Sequence, residues 1–258
     1  MRQFYIILTV VFLGIFVASP LLAAKIKHRS TLYADSSGAP LAFPEGVACG
    51  EDSFVVADTG NSQIARYALG KQGITAEAVF PLPESAPLVV QLSADGSIYL
   101  LDGKSRQILN MSPSGKVTGK IVPKGLPGSK TVMARSFRLS GKQLYLLDIF
   151  SGRVLVLNLN GDYQRQLPFP EGYRFVSDLT ISPQGTLYLL DSVAGSIYRA
   201  NSGAAEFTLL SSGLKEYLNF PTSLATDAKG ELYLSDQYGS GLVLIGRDGS
   251  FQGRKFGM

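Results

Sequence analysis

Five aspartates stand at regular intervals along this 258-residue chain: Asp58, Asp102, Asp148, Asp191 and Asp236, spaced 44, 46, 43 and 45 positions apart. Carboxylates in such a series admit two kinds of chemistry. They can form a ring of ligands for a metal or substrate, or each can accept the backbone N–H groups of the turn that follows it. Recurrence once per interval favours the second reading, because a ligand site needs residues that break symmetry and converge. Nucleophilic catalysis has little to build on. The one histidine, His28, precedes the whole series, a poor position for the base of a Ser-His-Asp arrangement. There is no Gly-x-Ser-x-Gly elbow and no phosphate-binding glycine loop leading into a helix. The one cysteine, Cys49, has no neighbour in sequence that would lower its pKa and is expected to be a packed thiol. A single Cys and a single His also exclude an intramolecular disulfide, a Cys-rich zinc site and any site needing two imidazoles.

What positions the aspartates is a repeated strand. Ser53–Asp58, Ser97–Asp102, Gln143–Asp148, Thr186–Asp191 and Glu231–Asp236 share one frame, apolar almost throughout as where both faces are covered. Six residues after each Asp comes an aliphatic (Ile64, Ile108, Val154, Ile197, Leu242), and twelve or thirteen after it a glycine (Gly70, Gly115, Gly161, Gly203, Gly249). Turn signals such as Asp95-Gly96 precede the central strand, where Gly supplies positive φ. The 28 Gly and 13 Pro suit many short strands, and 45% hydrophobic against 17% charged residues is ample for one large core. Four strands in a unit of about 40 to 45 residues, repeated round a channel, predict an all-β fold, a β-propeller of four-stranded blades. Five repeats are visible from residue 44 to 258, so the ring is five- or six-bladed, with residues 25–43 as a closing strand or partial sixth blade.

The repeat resembles the NHL-repeat propellers: an apolar strand ending in Asp, a short turn with Asn and a basic residue, then Ile or Val. Asp58-Thr59-Gly60-Asn61-Ser62-Gln63-Ile64 is the nearest copy, with Gln in place of the usual Arg; Asp148 to Val154 has Arg153 but lacks the Asn; Asp236 to Leu242 is degenerate. The resemblance implies a fold and leaves function open. In a propeller, the turns after the second strand and the connections between blades emerge on one face. That places Arg106, Phe150, Arg153, Tyr173, Arg174, Tyr217 and Tyr238 on or near one surface, and Arg and aromatics are the types enriched at interface hot spots. Phe169 and Phe220 are expected to fill gaps between blades. The expectation is a non-enzymatic scaffold that binds a protein, peptide or glycan through this face, with no cofactor and no nucleic acid. The alternative is a metal-dependent hydrolase or lactonase resembling the gluconolactonases, with one divalent ion in the channel held among Glu45, Glu171, Asp178 and Asn219.

Residues 1–24 read as a signal peptide. Arg2 is the basic start, Tyr5 to Ala18 the apolar run, and Pro20 breaks it before Leu22-Ala23-Ala24. A run of about 14 residues is short of the roughly 20 a bilayer span needs, although Phe4 to Ala24 reaches that length and would make an N-terminal membrane anchor. Export to the periplasm or the exterior of a bacterium is the expectation, and a membrane partner only if the segment stays uncleaved. Without it, 23 basic against 20 acidic residues leave a net charge of +3, scattered but for Lys25, Lys27, His28 and Arg29.

Overall fold

The computed structural model describes residues 30–239 and 241–255, so the expected signal segment and His28 lie outside the described residues. Among the described residues, twenty strands form five sheets, each of four antiparallel strands in sequence order. Blade 1 is β1 (Pro44–Cys49), β2 (Ser53–Asp58), β3 (Gln63–Gly70) and β4 (Gly73–Pro81). Blade 2 is β5 (Pro87–Leu92), β6 (Ile98–Asp102), β7 (Ile108–Met111) and β8 (Val117–Ile121). Blade 3 is β9 (Ala134–Ser140), β10 (Gln143–Asp148), β11 (Arg153–Asn158) and β12 (Tyr163–Pro168). Blade 4 is β13 (Val176–Ile181), β14 (Leu187–Asp191), β15 (Ser196–Ala200) and β16 (Thr208–Ser211). Blade 5 is β17 (Pro221–Thr226), β18 (Leu232–Asp236), β19 (Leu242–Ile245) and β20 (Phe251–Lys255). This is a five-bladed β-propeller, and the five repeats of the sequence are its five blades.

The second strand of blades 1 to 4 is apolar on both faces because both faces are covered, whereas in blade 5 Leu232 and Leu234 are buried and Tyr233 and Ser235 are half-exposed. Val55 and Ala57 pack with Val90, Ile98 and Leu100 between blades 1 and 2, while Phe54 and Val56 pack with Ala65 and Tyr67 on the opposite side. Equivalent apolar clusters join blades 2 and 3, 3 and 4, and 4 and 5. Burying each such Leu, Ile or Phe is worth about 1.5–3 kcal/mol, so the seams between sheets are where the fold's stability resides. The free side of blade 1 is covered differently. Residues 30–43, where a closing strand or partial blade is expected, contain one isolated bridge, Ala34 to Pro40, and lay Leu32 and Leu41 on the Phe54–Tyr67 cluster. Tyr67 Oη donates to the Ala34 carbonyl at 3.0 Å. Among the described residues, no apolar cluster joins blade 5 to blade 1.

The glycine in the third-to-fourth-strand hairpin has two jobs. Gly115, Gly161 and Gly249 all have positive φ, and a Cβ at each would meet the preceding blade at 2.0–2.3 Å, on the Phe80 ring, the Val122 carbonyl and the Leu210 carbonyl. Any side chain there would push neighbouring blades apart.

Candidate binding face and interblade cleft

The repeat aspartates anchor one face of the ring. Each carboxylate reaches back to the connection that enters its own blade and forward to its own turn. Asp191 accepts from the N–H groups of Arg174, Phe175, Val193 and Ala194. Asp236 accepts from Asn219, Phe220 and Tyr238, and Asp148 from Met133 and Phe150. Asp58 takes the N–H of Ala42, with the side-chain amides of Asn61 and Gln63. Asp102 takes Ala86, Lys104 and Ser105 N–H and the hydroxyls of Ser85 and Ser105. Burial pushes the Asp102 carboxyl up, but the bonds from Ser105, Ala86 and Ser85 outweigh it and hold the pKa at about 2. At Asp236, burial likewise raises and the backbone N–H groups of Phe220, Asn219, Tyr238 and Gly239 lower, for a net depression. These carboxylates are turn acceptors with their lone pairs in use.

Because every blade carries the same anchor, residues beside the anchors share a face. Phe43, next to Ala42, is 82% exposed and Tyr238 is 73% exposed, and Met133, Phe150 and Tyr173 are exposed with them. Arg106 and Arg174 are exposed on the same side, and Arg135 lies over the Phe175 ring at 6.0 Å. Of the residues expected on this face, Phe150, Tyr173, Arg174, Tyr238 and Arg106 are presented to solvent. Tyr217 is half-buried, stacked on Phe251 at 3.9 Å. Phe169 is buried between blades 3 and 4, and Phe220 is half-buried, tilted against Tyr238. The exposed Phe43 and Met133 carried no sequence signal beyond lying just before an inner strand.

Arg153 is not presented. It is buried, with Nε on Asp148 at 3.0 Å, one terminal nitrogen on Gln166 and the Pro127 carbonyl, and the other on the Ser129 carbonyl. It clamps the connection 122–133 to blade 3. The candidate metal ligands are not drawn together either. Glu45, Glu171 and Asn219 are exposed at blade entrances, and no group of three His, Cys, Asp or Glu among the described residues could hold a metal. Asp178 is buried on β13 and paired with Arg138 of β9 at 2.9 Å; it also accepts from Ser136 Oγ and from the N–H of Leu224 on β17. That one carboxylate ties three inner strands, and Ser136 and Arg138 were invisible as partners because they lie about 40 residues upstream of Asp178 in sequence. Cys49, expected to be packed, is exposed at the end of β1.

A cleft of about 240 Å³ opens between blades 2 and 3 on the anchored face. Its floor is Ile108, Ile121, Ala134, Leu146 and Leu157; its rim carries Arg106 and Lys130, with no acidic side chain in the lining. Arg106 stands fourth after its aspartate with φ +58°, in the left-handed region. Ser62, Gly152 and Gly195 stand fourth in their units with φ of 52°, 62° and 67°. Glycine in two of these turns was the sequence signal for the conformation, and a side chain as large as Arg there costs about 1–2 kcal/mol.

No protein-family model and no curated protein matches the chain. Solved structures do match in fold. A virginiamycin B lyase from Staphylococcus aureus superposes with a TM-score of 0.59 at 14% identity, over 81% of this chain and 68% of that one. A streptogramin B lyase gives 0.61 at 15% identity, over 83% and 69%. A chain of a nidogen/laminin complex gives 0.64 at 16% identity, over 83% and 80%. At such identities the likeness is one of fold. Among the described residues no helix is long and apolar enough to cross a membrane.

Proposed function

We propose that the protein is an exported, NHL-like binding propeller whose anchored loop face engages a protein, peptide or glycan partner without covalent chemistry. The observation that carries this reading is the contrast on that face: the repeat carboxylates are consumed by backbone N–H groups and internal side chains, while Phe43, Met133, Phe150, Tyr173 and Tyr238 stand exposed beside them. Exposed aromatic rings on rigid, hydrogen-bonded turns offer contact area at low entropic cost. The nidogen/laminin neighbour supports the reading by analogy, as a propeller of this shape found in a protein complex. The lyase neighbours share the shape as well, but the carboxylate best placed for channel chemistry here, Asp178, is spent on Arg138, Ser136 and Leu224.

The test is capture from the exported fraction by the immobilised protein, compared with a Phe150→Ala, Tyr173→Ala, Tyr238→Ala triple variant. The reading expects the variant to melt normally and to lose the captured species. Capture that survives the triple change, but is lost on Leu209→Ser of the outer strand β16, places the interface elsewhere and contradicts it.

A further inference from the structure

Three of the blade seams are closed on the loop face by the same device. The connection leaving the outer strand turns back, donates its N–H to the carbonyl of the fourth residue after the repeat aspartate, and drops an apolar side chain into the seam. Leu82 donates to Ser62 at 2.7 Å, Phe169 to Gly152 at 2.8 Å and Leu214 to Gly195 at 3.1 Å, and all three side chains are buried. Leu82 belongs to the cluster between blades 1 and 2, Phe169 to that between 3 and 4, and Leu214 to that between 4 and 5.

The seam between blades 2 and 3 lacks its plug. The equivalent residue, Val122, is 43% exposed, and no residue from 122 to 133 is fully buried. The carbonyl of Arg106 receives no backbone N–H among the described residues. The reason is the path of the connection. Lys124 exchanges backbone bonds with Gly161 and Tyr163 of blade 3, and Arg153 holds the Pro127 and Ser129 carbonyls, so Val122 is drawn off the seam and the segment meets its apolar cluster only through the half-buried Leu126 and Val132. What remains is the cleft of about 240 Å³, an apolar socket of one side chain's scale, rimmed by the cations Arg106 and Lys130. Neither cation has an ion-pair partner among the described residues.

We propose that this socket binds the C-terminal residue of a peptide ending in Leu or Phe: its side chain takes the place of the missing plug, its N–H donates to the Arg106 carbonyl, and its terminal carboxylate lies against Arg106 and Lys130. The ligand repeats in trans what Leu82, Phe169 and Leu214 do in cis, with a charge added to match the two cations. Arg106 holds a backbone position suited to glycine; blade 1 has the small Ser62 there, and at the two glycine turns a Cβ on Gly152 or Gly195 would crowd Tyr173 at 2.9 Å or Lys215 at 2.8 Å. At blade 2 that space is the cleft.

This inference rests on the loop-face reading and deepens it at one seam. The experiment is fluorescence anisotropy of the purified protein with a labelled Gly-Ser-Gly-Ser-Leu peptide as free acid and as C-terminal amide. The free acid is expected to bind, the amide to bind about tenfold more weakly or worse, and N-acetyl-leucine to compete. Arg106→Gly should lose binding by a similar factor with no fall in melting temperature, and Lys130→Gln should weaken it without touching the strained turn. Equal binding of acid and amide, binding undiminished by both substitutions, or no anisotropy change at millimolar protein overturns the proposal. Competition by 4-methylpentanoate as strong as by N-acetyl-leucine also overturns it, since that acid has no N–H to offer and points to a free-acid site. No peptide binding, with partner capture still dependent on Phe150, Tyr173 and Tyr238, would sink this inference alone; peptide binding with capture indifferent to those three rings would sink the role of the exposed aromatics and leave the socket.

Discussion

Two arginine-bearing regions lie a blade apart and do opposite things. On the inner strands of blades 3 to 5, Arg138 is bonded to Asp178, Ser136 and the carbonyls of Phe137 and Leu224, and Arg153, at the start of the third strand of blade 3, is spent on Asp148, Gln166 and two loop carbonyls. At the seam between blades 2 and 3, Arg106 and Lys130 stand over an apolar floor with no counter-charge. Residue type does not separate the two regions. What separates them is whether the donors are already used: a guanidinium whose terminal nitrogens have internal acceptors holds the fold, and one without them is available to a ligand.

The largest effect belongs to the internally satisfied region. Asp178→Ala leaves the half-buried Arg138 and the buried Ser136 hydroxyl without their partner and uncouples three inner strands, and it should cost about 2–4 kcal/mol in urea unfolding. A change under about 1 kcal/mol would mean that this pair is a bystander. Next comes Arg153→Ala, expected to cost about 2–4 kcal/mol. It should also speed amide exchange in residues 124–130, since their tie to blade 3 is cut; protection unchanged there would break the argument that Arg153 sets the path of the connection.

Arg106→Gly should go the other way, gaining up to about 1 kcal/mol as a left-handed Arg is replaced by the residue that the blade 3 and 4 turns use. Destabilisation would show that Arg106 is structural after all. The smallest effect is acid sensitivity. The Asp102 carboxyl is depressed to about 2 in the fold, so its stabilising contribution is complete above the unfolded carboxylate value of about 4 and is lost as pH falls from there toward 2. The urea midpoint should fall over that window, and less steeply in Asp102→Asn.

The propeller was legible because its determinants are local and repeated. A strand with a neighbour on each face must be apolar at every position, and a turn that collects backbone N–H groups must begin with an acceptor, so Ser97–Asp102 and Thr186–Asp191 announce themselves. The exposed loop aromatics follow from the same frame, as Phe150 and Tyr238 sit two residues past an anchor. Other features depend on where distant segments meet. Arg153 occupies a turn position that looks exposed, and only the return of residues 127–129 buries it. Asp178 looks like a channel ligand until Arg138, 40 residues upstream, is brought to it. The unplugged seam is an absence, produced by the course of twelve residues, 122–133, with no periodic pattern to read.

The most direct test of the claim that unspent donors mark the site is an NMR titration of the protein with N-acetyl-leucine, followed through backbone amides. The account predicts shifts confined to residues 105–108, 121–123 and 130–134 and the floor residues Leu146 and Leu157, with the turns at Gly152 and Gly195 and the Arg138–Asp178 pair unmoved. Shifts centred on those plugged turns or on the inner strands, or none at millimolar ligand, would contradict it.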